Sequence, residues 1–214
     1  MAGVNGLHVV KFDGSRRLVA SLGGAALVDD PGVAKIAFTG STAVGREIAQ
    51  KCGKALKRVT LELGGKSPNI ILPDADLERA VKGSFQGIYF NSGQACNAGS
   101  RLFVARELFD RVVGELAEYA RGAKVGPGLD PESEFGPLVS AEQFERVKGY
   151  IDSGLDEGAE AVAGGSPSNG EGYFVSPTLF TGVEDDMRIA REEIFGPVLV
   201  AMPFDDLEEV AARA

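Results

Sequence analysis

The 214-residue chain is 44% hydrophobic and carries a net charge of −9, from 22 basic and 31 acidic side chains. That is enough apolar material for one large domain or two small ones. The acidic balance excludes the basic stripe of a nucleic-acid surface, no apolar run reaches a membrane span, and two distant cysteines suit neither a disulfide scaffold nor a zinc knuckle.

Lys11, Asp13, Arg16 and Arg17 interrupt any apolar run in residues 1–22, so no signal peptide is expected and a cytoplasmic location follows. Val33 to Phe38 reads as a short buried strand. Thr39-Gly40-Ser41 turns into a helix over about Ala43 to Lys51, and Arg58 to Leu63 reads as the next strand. This is a β-α-β unit, the usual source of a parallel sheet with a right-handed crossover. Asn69 to Leu72 is another strand. Pro73-Asp74 opens a helix towards Phe90, with Asp74 as its N-cap. Arg106 to Arg121 places Leu108, Phe109, Val112, Val113, Leu116 and Tyr119 at helical spacing. Ser140 and Gln143 fit a capping box, with Phe144, Val147, Ile151 and Leu155 as the face behind it. Ala159 to Ala163 reads as a strand and Ser166 to Gly172 as a surface loop. Strands follow near Tyr173 to Phe180 and Pro197 to Met202, and a last helix starts near Asp206. No internal repeat is visible.

Three stretches bear on chemistry. The turn Gly40 to Gly45 follows a strand and opens a helix, whose free amides attract anions. Its glycine spacing departs from Gly-x-Gly-x-x-Gly, and on its own the turn reads as a tight connection in an α/β sheet. Gly65-Lys66-Ser67 resembles the end of a P-loop, but the first glycine of that motif would fall on Thr60, which argues against a nucleotide triphosphatase. Cys96 sits among Ser92, Gly93, Gln94, Ala95, Asn97, Ala98, Gly99 and Ser100. Such small neighbours let a substrate approach the thiol and its backbone N–H, which can stabilise an oxyanion. The alternative, a buried cysteine acting as a small hydrophobe, suits Cys52 better. Glu62, between Leu61 and Leu63 on a strand, points opposite to them, towards a cleft or towards water. A thiol and a carboxylate together can form a thioester and then hydrolyse it.

Leu61-Glu62-Leu63-Gly64-Gly65-Lys66-Ser67-Pro68, and Gly93-Gln94-Ala95-Cys96 with Ser100-Arg101, resemble the two active-site signatures of the NAD(P)-dependent aldehyde dehydrogenase superfamily. Phe38 to Thr42, through Gly45, resembles its cofactor turn. Glu192-Glu193-Ile194-Phe195-Gly196-Pro197-Val198 resembles its downstream cofactor motif. The four occur in the family's order, and Cys96 follows Glu62 by the usual 34 residues.

The resemblance implies an α/β, parallel-sheet, aldehyde-dehydrogenase-like fold. Residues 1–23 would be a poorly matching segment, 24–64 the end of the cofactor-binding domain, and 65–214 most of the catalytic domain. It implies that Cys96 attacks an aldehyde as a thiolate, that hydride passes to NAD or NADP, and that Glu62 activates the water that releases the acid. The Cys96 N–H would supply half of an oxyanion site. Gly40, Ser41, Thr42 and Gly45 would meet the pyrophosphate, with Leu63 beside them; Glu193 would hold the nicotinamide ribose and Phe195 would pack near the nicotinamide. The implied partner is a small aldehyde, and the implied assembly a homo-oligomer.

The sequence also departs from the family. At less than half the usual length, the chain lacks the upstream asparagine and lysine of the family's site, and the tail strand used for oligomer contacts. Gly6 to Val10 reads as a vestige of a family strand, and His8 receives no role. The expectation is an aldehyde dehydrogenase lineage with little turnover by this chain alone. A coenzyme A-acylating enzyme and a non-catalytic remnant are the alternatives, and Glu62, a base suited to water, weighs against the first.

Overall fold

The strand–helix–strand expected between residues 33 and 63 forms. A computed structural model describes residues 9–12, 18–22, 24–166 and 172–214. His8 and most of the expected 166–172 loop lie outside the described residues. Contacts divide the chain into two compact units, Met1–Gly64 and Gly65–Ala214.

In the first unit, β1 (Val9–Phe12) and β2 (Leu18–Leu22) pair antiparallel. After α1 (Gly24–Asp29) come β3 (Lys35–Gly40), α2 (Thr42–Lys54) and β4 (Arg58–Leu63), with β3 and β4 parallel. β3 starts two residues later than expected. The Asp30 carboxylate accepts from the Gly32 amide at 2.7 Å, and the Val33 amide donates to the Asp30 carbonyl, so Val33 belongs to a turn. Val28, Ile36, Phe38, Ile48 and Cys52 form a small core, with Leu61 and Leu63 packed against it. The Lys57 ammonium donates to the carbonyls of Val28 and Asp30 at 2.7 and 2.6 Å, which ties the end of α1 to the entry of β4.

The second unit is a five-stranded sheet. Its elements are β5 (Pro68–Ile71), α3 (Leu77–Tyr89), β6 (Arg101–Ala105), α4 (Phe109–Gly122), α5 (Ala141–Asp156), β7 (Glu160–Ala163), β8 (Thr178–Thr181), α6 (Arg188–Arg191), β9 (Val198–Phe204) and α7 (Leu207–Arg213). The strand order is β5-β6-β9-β8-β7, all parallel except the edge strand β7. Helices cover both faces, as parallel sheets require. Alternation along the strands deals side chains to two cores. Phe103, Val198, Val200 and Met202 join Val147, Ile151 and Ile189 of α5 and α6. Leu102, Val104, Leu199 and Ala201 join Val81, Phe85, Ile88, Val112 and Leu116 of α3 and α4.

Several expectations are corrected. The cap of α3 is Asp76, whose carboxylate accepts from the Arg79 amide at 3.2 Å; Asp74 lies in the preceding turn, closed by the Ala75 amide on the Leu72 carbonyl. Residues 106–108 form a 3-10 turn before α4 begins. Leu155 is 44% exposed, and Tyr150 and Gly154 share the buried face of α5 with Val147 and Ile151. The strand expected over 173–180 shortens to β8, whereas β6, α1, α6 and β2 were not anticipated. Among the described residues, no helix is long and apolar enough to cross a membrane, and no group of three or more His, Cys, Asp or Glu could hold a metal.

Candidate active site

Each unit holds its own set of the singled-out residues. Gly40, Ser41, Thr42, Gly45, Glu62 and Leu63 belong to the first unit, and Cys96, Glu193 and Phe195 to the second.

In the first unit, Ser41 caps α2: its hydroxyl accepts from the Val44 amide at 3.4 Å, and its carbonyl from the Gly45 amide at 2.9 Å. Gly40 is paired with Leu63 across β3 and β4. A Cβ on Gly45 would lie 2.4 Å from Leu63 Cδ2, so glycine there lets the helix start close on the strand. Leu61 and Leu63 turn to the core, while Glu62 between them is exposed on the other face, as the alternation required.

In the second unit, α3 ends in a 3-10 turn, Phe90–Gly93, in which Asn91 and Ser92 both adopt left-handed backbone angles, at φ of 51° and 54°. Side chains hold this irregular loop. Asn91 Nδ2 donates to the Gln94 carbonyl at 3.0 Å, Ser92 Oγ to the Gly136 carbonyl at 2.8 Å, and Gln94 Oε1 accepts from the Val139 amide at 3.0 Å. Gly93, at φ of 71°, lies against the backbone of Gly196: an added Cβ would come within 2.0 Å of its carbonyl oxygen. The loop then presents Cys96 to solvent in the turn closed by the Ala98 amide on the Ala95 carbonyl. Among the described residues the Cys96 amide donates to no acceptor. Cys52, by contrast, is fully buried in the first unit's core.

The contact of Gly93 with Gly196 joins the cysteine loop to the Glu193–Phe195 strap. Gly93, Ala95, Ser100, Glu193 and Phe195 line one narrow cleft of about 10 Å³. Phe195 is itself left-handed, at φ of 60°, a costly conformation for an aromatic residue. The first turns of α5 restrain it. Gln143 Nε2 donates to the carbonyls of Ile194 and Phe195 at 3.0 and 2.8 Å, and Arg146 Nη2 to that of Glu193 at 2.7 Å. The capping box is therefore half made: Ser140 Oγ accepts from the Gln143 amide at 3.2 Å, but the Gln143 side chain is committed to the strap. Its capping-box position concealed this second use in the sequence. Replacing Gln143 with Met keeps its length and removes both donors. It is expected to cost about 2 kcal/mol, at roughly 1 kcal/mol per hydrogen bond, and to speed hydrogen exchange at residues 193–196. Unchanged exchange there would detach Gln143 from the strap.

A fold of this topology carrying a solvent-open cysteine on a strapped loop is the setting in which the comparisons with known proteins fall. The model of the aldehyde dehydrogenase family matches residues 18–214, and the chain belongs to that family of NAD(P)-dependent enzymes. The match reaches six residues further upstream than the motifs alone indicated. DhaS of Bacillus subtilis (strain 168), named provisionally as an aldehyde dehydrogenase, is 56% identical over 191 residues, covering 89% of this chain and 39% of that protein. Human retinal dehydrogenase 2 is 49% identical over 192 residues, covering 89% of this chain and 37% of its own length. The structure of the Bacillus cereus aldehyde dehydrogenase in complex with NAD+ superposes with a TM-score of 0.87 at 55% identity, covering 89% of this chain and 39% of that one. The chain thus spans less than two-fifths of these relatives.

Proposed function

We propose that this chain carries the nucleophile, the hydrolytic base and part of the cofactor site of an NAD(P)-dependent oxidation of aldehydes to carboxylic acids. The observation that carries the reading is the contrast between the two thiols. Cys96 is open to solvent with an uncommitted amide beside it, while Cys52 is sealed in a core. Cys96 Sγ attacks the aldehyde carbon as a thiolate, and its amide donates to the oxygen as negative charge develops there. Loss of a hydride from this adduct would leave a thioester; Glu62 takes a proton from the water that attacks it, and Cys96 leaves as the acid forms.

The residues present fit a dinucleotide. Glu193 Oε1 is sealed from solvent with no donor in reach, an acceptor left over for a ribose hydroxyl. The Ser41-capped start of α2 offers amides of the kind that hold phosphate. When bound, the nicotinamide supplies the hydride acceptor. Phe195 and the Gly93 loop wall the cleft in which Glu193 sits. NAD+ lies in the Bacillus cereus relative, and either NAD or NADP suits the residues here. Because the chain spans so little of its relatives, full turnover is proposed for the longer enzymes, with this chain alone slow. An enzyme of this class is expected to work as a homo-oligomer on a small aldehyde in the cytoplasm.

The test is differential alkylation. Iodoacetamide is expected to label Cys96 at least tenfold faster than Cys52 in the folded chain, the buried thiol waiting on an opening of its core. NAD+ is expected to change the Cys96 rate alone. Equal rates for both thiols, or a Cys96 rate indifferent to NAD+, would count against the reading.

A further inference from the structure

Lys66, Arg101, Arg191 and Arg213 line one open cavity of about 440 Å³ in the second unit, with Asp185 in the same wall. This excess of cations runs against the balance of the chain, whose net charge is −9. Arg213 is already matched. Its Nε and Nη2 donate to the two carboxylate oxygens of Asp185 at 2.8 and 3.0 Å, and its Nη1 to Glu209 at 2.9 Å. The other three cations are not matched. Arg101 gives Nε, Nη1 and Nη2 to the main-chain oxygens of Lys66, Arg213 and Ala214, at 2.9, 3.0 and 2.7 Å. One hydrogen stays free on each Nη. Arg191 is exposed at the end of α6 and bonds no acceptor among the described residues. Lys66 Nζ is buried with no hydrogen-bond partner.

An ammonium buried without an acceptor is costly, and a like charge beside it adds to the cost. Lys66 and Arg101 cannot move apart. Arg101 Nε holds the Lys66 carbonyl, and the β5–β6 register sets Pro68 opposite Arg101. Burial first, and then the Arg101 cation, pull the Lys66 ammonium down to about 7, against the charges of Glu193 and Glu192. An anion in the cavity would offset both costs. Guanidinium forks suit the edges of an oxyanion, and an ammonium adds a point charge. We propose that this cavity binds a tetrahedral oxyanion, a free phosphate or sulfate ion or the phosphate group of a small ester, between Arg101 and Arg191 with the Lys66 ammonium behind it. No residue lines both this cavity and the cysteine-loop cleft, so the site is separate from the one assigned to the aldehyde chemistry.

Titration calorimetry without NAD+, with chloride holding the ionic strength constant, tests the site. Sulfate stands for the free ion and glycerol 3-phosphate for the ester. Both are expected to bind at one saturable site per chain, and the tighter of the two identifies the source for which the cavity is shaped. Arg191→Gln is expected to weaken sulfate binding about fivefold and Lys66→Met about tenfold, the size of one lost charge-assisted hydrogen bond in each case. Neither change threatens the fold. Arg191 is exposed and unbonded, and Lys66→Met removes a buried charge that has no partner. Arg79→Gln on α3 makes the same change of charge outside the cavity and is expected to leave binding within about twofold of wild type, as fits a screened surface charge. Equal weakening by all three variants would show diffuse attraction and would overturn the site. A wild-type chain with no saturable binding of either anion would overturn it as well.

Discussion

Replacing Gly93 with Ala is expected to lower the stability of the 65–214 unit by about 4 kcal/mol, from a left-handed non-glycine residue and an unrelieved backbone collision. The methyl group would arrive 2.0 Å from the Gly196 carbonyl oxygen and 2.8 Å from the Pro197 nitrogen. Neither is the movable end of a side chain. Gly196 cannot retreat easily, because its own Cα lies against Val147, where an added Cβ would stand 2.4 Å from Cγ2. The strap and the cysteine loop would have to part, so Cys96 alkylation should lose any response to NAD+. Urea unfolding measures the loss directly. Gly83→Ala is the control. It lies inside α3, where an added Cβ meets nothing within 4 Å, and is expected to stabilise by roughly 0.5–1 kcal/mol. Equal outcomes for the two glycines would show that the loop and strap do not bear on one another.

Truncating Phe103 to Ala is expected to cost about 4 kcal/mol, the usual range for a large buried aromatic residue. Phe103 is fully buried on β6 and packs into the core under α5 and α6. The guanidinium groups of Arg213 and Arg101 stand 5.2 and 5.8 Å from its ring centroid, so truncation also removes their aromatic partner. Ile70→Ala on the neighbouring strand β5, where the side chain is 37% exposed, is expected to cost less than half as much. A Phe103 loss no greater than that of Ile70 would contradict the placement of β6 as an inner strand.

β6 is also where the sequence was least legible. Arg101 to Ala105 is a short apolar run with no polar alternation, because both of its faces are buried. It abuts the cysteine motif on one side and the helical periodicity of α4 on the other, with no turn residue to mark it off. Elements with one buried face were plain. The spacing of Val112, Val113 and Leu116 gave α4, and Ser140 marked the start of α5 to the residue. The cap of α3 was read at Asp74 but is Asp76, which starts the helix where Leu77, Val81 and Phe85 pack against the core. In the site, Cys96 and Glu62 stood out by their neighbours, and both side chains are exposed. Gln143 and Arg146 did not stand out as site residues. They act on groups roughly 50 residues away, on the strap at 193–195, and such distances leave no periodicity to read.

The pairing of β6 with β9, Phe103 opposite Met202, also sets an order of assembly. Those partners are about a hundred residues apart, and closing so long a loop costs entropy before any contact repays it. The β8–β9 pair, Thr178 opposite Val198, closes a loop of some twenty residues and can form first. On the ribosome, α3 and α4 emerge long before β9 does, so their apolar faces must wait, half-covered, for the strand that completes their wall. A chaperone that binds this nascent chain should therefore hold it longest between the emergence of α4 and that of residue 204.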